Sequence, residues 1–149
     1  MRKYVVDTNC YIDASREPIE LAALTRFVTW SAPGLHLSSV VAAELRAGAR
    51  SSKDRKRLEK DVLGPFLRRG RVVTPSSSAW DALGLALATL RDEEGLKLAS
   101  VSRSFAFDVL IAYSCRENGA VLVTRNSRDM ARIRKVFAFD YVDAYPETS

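Results

Sequence analysis

A chain of 149 residues is the size of one ordinary domain, and 47% hydrophobic with 28% charged residues is a globular composition, which excludes a disordered or fibrous chain. No stretch approaches the ~20 apolar residues of a membrane span, and Met-Arg-Lys-Tyr-Val-Val-Asp at the start has no long apolar region before its first acid, so the expectation is a cytoplasmic protein that makes no membrane contact. Lys and Arg outnumber Asp and Glu by 23 to 18, an excess that favours polyanionic partners without identifying one, and Cys10 and Cys115 define no disulfide framework.

Taken in chain order, Lys3 to Val6 predicts a short strand ending at Asp-Thr-Asn, and Leu21, Leu24, Phe27 and Val28 then recur with helical spacing. A turn is expected at Pro33-Gly34. Leu35 to Leu37 is a second short apolar run, and Ser39 is placed to cap a helix from Val40 to about Ala49. Lys53 to Leu67 reads as a charged helix with Pro65 within it or near its end, followed by Gly70 and a strand from Arg71 to Thr74. Ser76 to Ser78 offers a cap for a helix whose apolar stripe is Trp80, Leu83, Leu87 and Leu90, ending near Glu94-Gly95. Leu96 to Ser102 has no clear pattern. A helix from about Ser104 to Asn118 stops at Gly119, Ala120 to Thr124 is a strand, Arg125 to Lys135 turns into a short helix, and Val136 to Val142 is extended. Strands alternating with helices along the whole chain predict an α/β fold with a largely parallel sheet. One domain over 1-149 is expected, with residues 144–149 as a short flexible tail.

The informative residues are acids on faces that should be apolar. Around Glu44 the positions three and four away are Val40, Val41, Ala47 and Gly48, while Arg46 and Arg50 mark the wet side of the same helix. Asp108 has Ser104, Phe105, Ile111 and Ala112 in the corresponding places, with Cys115 two turns on. Each is either a site residue or a core acid satisfied by hydrogen bonds. Asp7 ends the first strand, where ligands of open α/β sheets collect, or it is a helix cap. Asp129 lies beyond the strand Ala120 to Thr124, as a site acid or as a favourable charge in a helix's first turn. Asn9 and Asn126 are supporting polar groups or ordinary turn formers.

What is missing narrows the chemistry. His36 is the only histidine and lies outside these segments, so a Ser-His-Asp triad, a three-histidine zinc site and a histidine-pair ribonuclease all lack their parts. Neither G-x-x-x-x-G-K-[ST] nor G-x-G-x-x-G occurs. Asp7-Thr8-Asn9 is not the D-x-D of a dehalogenase-like phosphatase, and Val73-Thr74-Pro75 offers no acceptor acid for a receiver-type module. Carboxylates holding a hard cation such as Mg²⁺ or Mn²⁺ are the main catalytic chemistry left.

Four segments together carry a resemblance: V-V-D-T-N at Val5 to Asn9, S-S-V-V-A-A-E-L-R-A-G at Ser38 to Gly48, F-D-V-L-I-A at Phe107 to Ala112, and T-R-N-S-R-D-M at Thr124 to Met130. In this order and spacing the chain resembles the PIN-domain ribonucleases, and among them the VapC-type toxins of bacterial toxin–antitoxin pairs. The resemblance implies a three-layer α/β/α fold around a mostly parallel sheet and a catalytic metal site at Asp7, Glu44, Asp108 and Asp129, with Thr8 and Asn126 in support. It also implies a Mg²⁺- or Mn²⁺-dependent endoribonuclease, often a homodimer, held inactive by a cognate antitoxin. Met130 stands where the family usually has Phe, and Leu96 to Phe107 matches no signature. Arg125, Arg128 and Arg132 beside the last motif are the candidate RNA contacts, and the basic residues from Arg46 to Lys60 are read as a solvated helix face. The competing reading is a non-catalytic PIN-like module that binds RNA or protein.

Overall fold

A computed structural model describes residues 2–147. Five parallel strands, β1 (Lys3–Val6), β2 (Leu35–Ser38), β3 (Val72–Val73), β4 (Ala120–Thr124) and β5 (Asp140–Asp143), lie in the order β3-β2-β1-β4-β5. Val5 and Val6 are almost wholly buried, and all of β4 is buried, as expected of parallel strands covered on both faces. The helices are α1 (Thr8–Arg16), α2 (Pro18–Ser31), α3 (Ser39–Gly48), α4 (Ser52–Arg57), α5 (Gly64–Arg68), α6 (Ser77–Glu94), α7 (Arg103–Asn118) and α8 (Ser127–Arg134). The chain steps from β1 through β2 to β3 in one direction and from β3 through β4 to β5 in the other. Right-handed crossovers therefore put the two sets of helices on opposite faces, giving three layers, α/β/α. This is the fold class expected from the sequence.

Local chemistry explains most element boundaries. Ser76 and Ser102 cap α6 and α7 through their hydroxyls, and both helices end at a glycine in the left-handed region, Gly95 at φ 68° and Gly119 at φ 62°. Ser38, rather than Ser39, caps α3, accepting from the backbone N–H groups of Val40 and Val41. The cap thus belongs to the last residue of β2, and strand and helix follow without a loop.

Further elements differ from the sequence reading. The segment after Asp7 is a helix, α1, that the apolar pattern did not announce, because its buried residues include Thr8. The charged helix expected over Lys53 to Leu67 is divided by a π-helical segment, Leu58–Leu63. Pro65 has no N–H to give and its ring crowds the preceding turn, and a Cβ on Gly64 would lie 2.8 Å from the Glu59 carbonyl, so the widened turn passes where only glycine fits. In α6 the fully buried stripe is Ala79, Ala82, Ala86 and Leu90, with Leu83 and Leu87 half-buried and Trp80 57% exposed. Small residues let α6 approach the fold closely and leave the tryptophan outside. Finally, the extended run begins only at Asp140, since Val136 and Phe137 turn back to bond the Ile133 carbonyl. At the C-terminal end the Tyr145 ring packs against Phe27, centroids 5.6 Å apart; of the expected tail, 148 and 149 lie outside the described residues.

Candidate active site

The sheet order makes the site. Since the strand sequence reverses direction between β1 and β4, the crevice beyond their carboxyl ends is a topological switch point, where ligands of open α/β sheets bind. The first residue past β1 is Asp7 and the last of β4 is Thr124. Asp7 donates its N–H to the Val123 carbonyl at 2.9 Å, and its side chain caps α1 through the Thr8 N–H at 2.8 Å. Thr124 donates its hydroxyl to the second carboxylate oxygen at 2.7 Å, and the Asn9 amide donates to it at 3.4 Å. Asp7 is 2% exposed. Burial pushes its carboxyl above the ordinary range, while the bonds from Thr124, Thr8 and Asn9 oppose that push. The helix-cap and site readings of Asp7 are therefore compatible.

Glu44 arrives from α3, where Val40 and Val41 are buried but Ala47 and Gly48 are exposed. The face expected to be apolar throughout leaves the core at Glu44 and opens to solvent. The Thr8 hydroxyl donates to Glu44 Oε1 at 2.8 Å. Burial raises its carboxyl and the charge of Asp7 adds to this, whereas the Arg103 charge opposes it.

Asp108 and Asp129 share one donor. Asp108, 6% exposed on α7, and Asp129, in the first turn of α8, both accept from Asn126 Nδ2 at 3.1 Å. The Asn126 N–H is fixed in turn by the Thr124 hydroxyl at 2.9 Å. A continuous polar chain thus runs from Glu44 through Thr8, Asp7, Thr124 and Asn126 to both remaining acids. Burial, followed by the charges of Asp7, Glu44 and Asp129, pushes the Asp108 carboxyl up to about 8, with the Asn126 bond opposing. Without a cation Asp108 carries a proton at neutral pH, held there first by burial and then by the charges of the rest of the cluster.

These donors suit a hard divalent cation, since they are carboxylate oxygens with hydroxyl and amide oxygens at hand. As the side chains stand, however, no group of three or more His, Cys, Asp or Glu among the described residues is arranged to hold a metal ion. Asp129 also accepts from Arg132 at 3.4 Å.

The basic residues divide. Arg125 pairs with Glu20 at 2.8 Å, and Arg132 with Glu94 at 3.1 Å, over the Phe105 ring. Arg128 is exposed and has no ion-pair partner among the described residues. His36 bonds the Gly34 carbonyl through Nδ1, within the turn that leads into β2. Sequence reasoning overlooked Thr124, Arg103 and Glu94. The register places Val6 opposite Val123, so a hydroxyl one residue further along β4 faces Asp7, and a polar residue closing an otherwise apolar strand was the available signal for Thr124. Nothing local marks Arg103 or Glu94.

The family model described as PIN domain matches residues 4–136. Among solved structures the chain is similar to the DNA-bound VapBC of Salmonella typhimurium, at 25% identity and TM-score 0.68, covering 96% of this chain and 98% of that one. VapBC2 of Rickettsia felis, bound to a fragment of its promoter DNA, gives 25% identity and TM-score 0.63 over 95% of this chain and 98% of that one. FitAcB from Neisseria gonorrhoeae has the same fold at 19% identity and TM-score 0.66, over 93% and 95%. No curated protein sequence matches the chain.

Proposed function

Because this chain belongs to the PIN domain family, we propose that it is a metal-dependent endoribonuclease, the toxin of a toxin–antitoxin pair. The observation that carries the reading is the state of Asp108: burial, with the charges of three other acids adding to it, raises its carboxyl to about 8 from an ordinary 3.8. An assembly of acids that disfavours its own ionisation is a liability unless a cation or substrate chemistry uses it.

Asp7, Glu44, Asp108 and Asp129 are the residues that would hold Mg²⁺ or Mn²⁺, as the family usually does with a divalent metal. When bound, such a cation supplies an activated water and offsets charge developing on the phosphate. The residues of the chain do the positioning. Thr124 and the Thr8 N–H fix the two oxygens of Asp7, the Thr8 hydroxyl aims Glu44, and Asn126 holds Asp108 and Asp129 together. Arg128 stands exposed beside Asp129 to meet the phosphate backbone of RNA.

An antitoxin partner and a homodimer accompany this reading. The VapBC complexes are the supporting likeness, and the surface offers Trp80, Leu85 and Leu98, each more than half exposed. No helix among the described residues is long and apolar enough to cross a membrane, and a cytoplasmic site of action completes the proposal. That no three acids among the described residues are set to hold a metal favours a second reading, a non-catalytic PIN-like module that binds RNA or protein. Titration of the purified chain with Mn²⁺ and an RNA cleavage assay separate the two. Saturable metal binding with cleavage, both lost in Asp7→Asn, is the expected result; failure to bind metal or cut RNA assigns the second reading.

A further inference from the structure

Beside the acids, on the α2 side, lies a cavity of about 470 Å³ that none of the catalytic residues enters. Its size falls within the ~300–1,000 Å³ of ligand pockets. Buried Phe27 packs against half-buried Trp30 and Tyr145, with centroids 5.5 and 5.6 Å away. Arg26, Arg125 and Glu147 supply the polar lining. Arg125 is committed to Glu20 and lies 5.5 Å from the Tyr145 ring centre, but Arg26 and Glu147 have no ion-pair partner among the described residues. The cavity adjoins the site through two bonds: the Arg125 N–H donates to Asn9 Oδ1 at 3.3 Å, and the Asn9 amide donates to Asp7.

Aromatic faces together with an arginine are how proteins hold unpaired bases. An arginine beside a carboxylate, neither paired among the described residues, adds a choice of base. Guanine presents two acceptors, O6 and N7, that suit a guanidinium, and N–H donors at N1 and N2 that suit a carboxylate. Adenine lacks the paired acceptors, and the pyrimidines offer a smaller stacking face.

We propose that this cavity is a base subsite, which takes an unpaired guanine of the RNA against Trp30 and Tyr145 and reads it with Arg26 and Glu147, next to the phosphate presented to Asp7. The inference rests on the ribonuclease reading of the neighbouring acids, and it sets where along a single strand the chain would act.

The chain has two tryptophans, so Trp80→Phe, on the outside of α6, leaves Trp30 as the only indole reporter. In that background, with chelator present so that nothing is cut, uridine tetranucleotides carrying one G, A or C are titrated against Trp30 fluorescence. The G-containing strand should quench Trp30 and bind roughly tenfold or more tighter than the others. Arg26→Ala and Glu147→Gln, both at the surface, should each remove most of that preference without shifting the melting temperature. Equal binding of all strands, no quenching, or a preference that survives both substitutions overturns the subsite. Cleavage in Mn²⁺ alongside an indifferent Trp30 would sink this inference and leave the nuclease reading intact. Selective quenching by G with no cleavage in any metal would uphold the subsite and sink the nuclease reading.

Discussion

Thr124 donates its hydroxyl to Asp7 at 2.7 Å across 117 positions of sequence, joining the carboxyl ends of β4 and β1 at the point where the sheet order reverses. The same oxygen accepts the Asn126 N–H, so one threonine sets both the buried Asp7 and the amide that spans Asp108 and Asp129.

Thr124→Val keeps the shape of the side chain and removes the donor. A buried carboxylate that loses a partner costs about 1–3 kcal/mol, and its carboxyl should move still higher. Thermal melting should show a less stable protein at pH 7, and RNA cleavage should fall at least tenfold. Thr124→Ser should restore most of both. A valine variant as stable and active as the parent would remove Thr124 from the site.

The raised Asp108 carboxyl fixes the sign of a pH dependence. Its folded value, about 8, lies above an ordinary 3.8, so between these values the folded chain holds a proton that the unfolded chain has lost. Stability of the metal-free protein should therefore fall as pH rises from about 4 to about 8, with a slope approaching 1.4 kcal/mol per pH unit. Asp108→Asn should flatten that slope, melt at or above the parent in chelator at pH 7, and lose the advantage towards pH 5. Added Mg²⁺ should stabilise only the parent. An Asn variant that melts well below the parent in chelator would make Asp108 a structural acid.

Cleavage should require the metal outright, since the only histidine bonds a backbone carbonyl away from the acids and both cysteines are buried with thiols pushed upward by burial. Chelator should abolish cleavage, and excess Mg²⁺ or Mn²⁺ should restore it. Undiminished cleavage in chelator that Asp7→Asn removes would exclude this mechanism.

Ion pairing ranks the arginines. Arg128→Ala should weaken RNA binding and reduce the salt slope by about one unit, as expected for one lost phosphate contact. Arg125→Ala and Arg132→Ala should lower the slope less, because each already neutralises an acid, Glu20 or Glu94. Filter binding across a salt series measures this. Equal slopes in all three variants would show that the ion pairs open on binding.

Much of the architecture was legible because it is written locally. Apolar runs ended by small turns gave the strands, serine caps and Gly119 bounded the helices, and four acids stood out because they sit at strand ends or on faces shared with apolar side chains. The order of the strands is different in kind. It arises from pairings between segments as distant as β1 and β4, which no local pattern encodes, and it alone decides that Asp7 and Thr124 meet at a switch point. Tertiary structure likewise put Arg103 near Glu44, tied Arg132 to both Glu94 and Asp129, and buried Asp108 among three like charges. The sequence thus specified which residues are ionisable and on which element each rides; the state of each charge was decided by the fold, because an ionisation energy depends on burial and on neighbours that only long-range packing supplies.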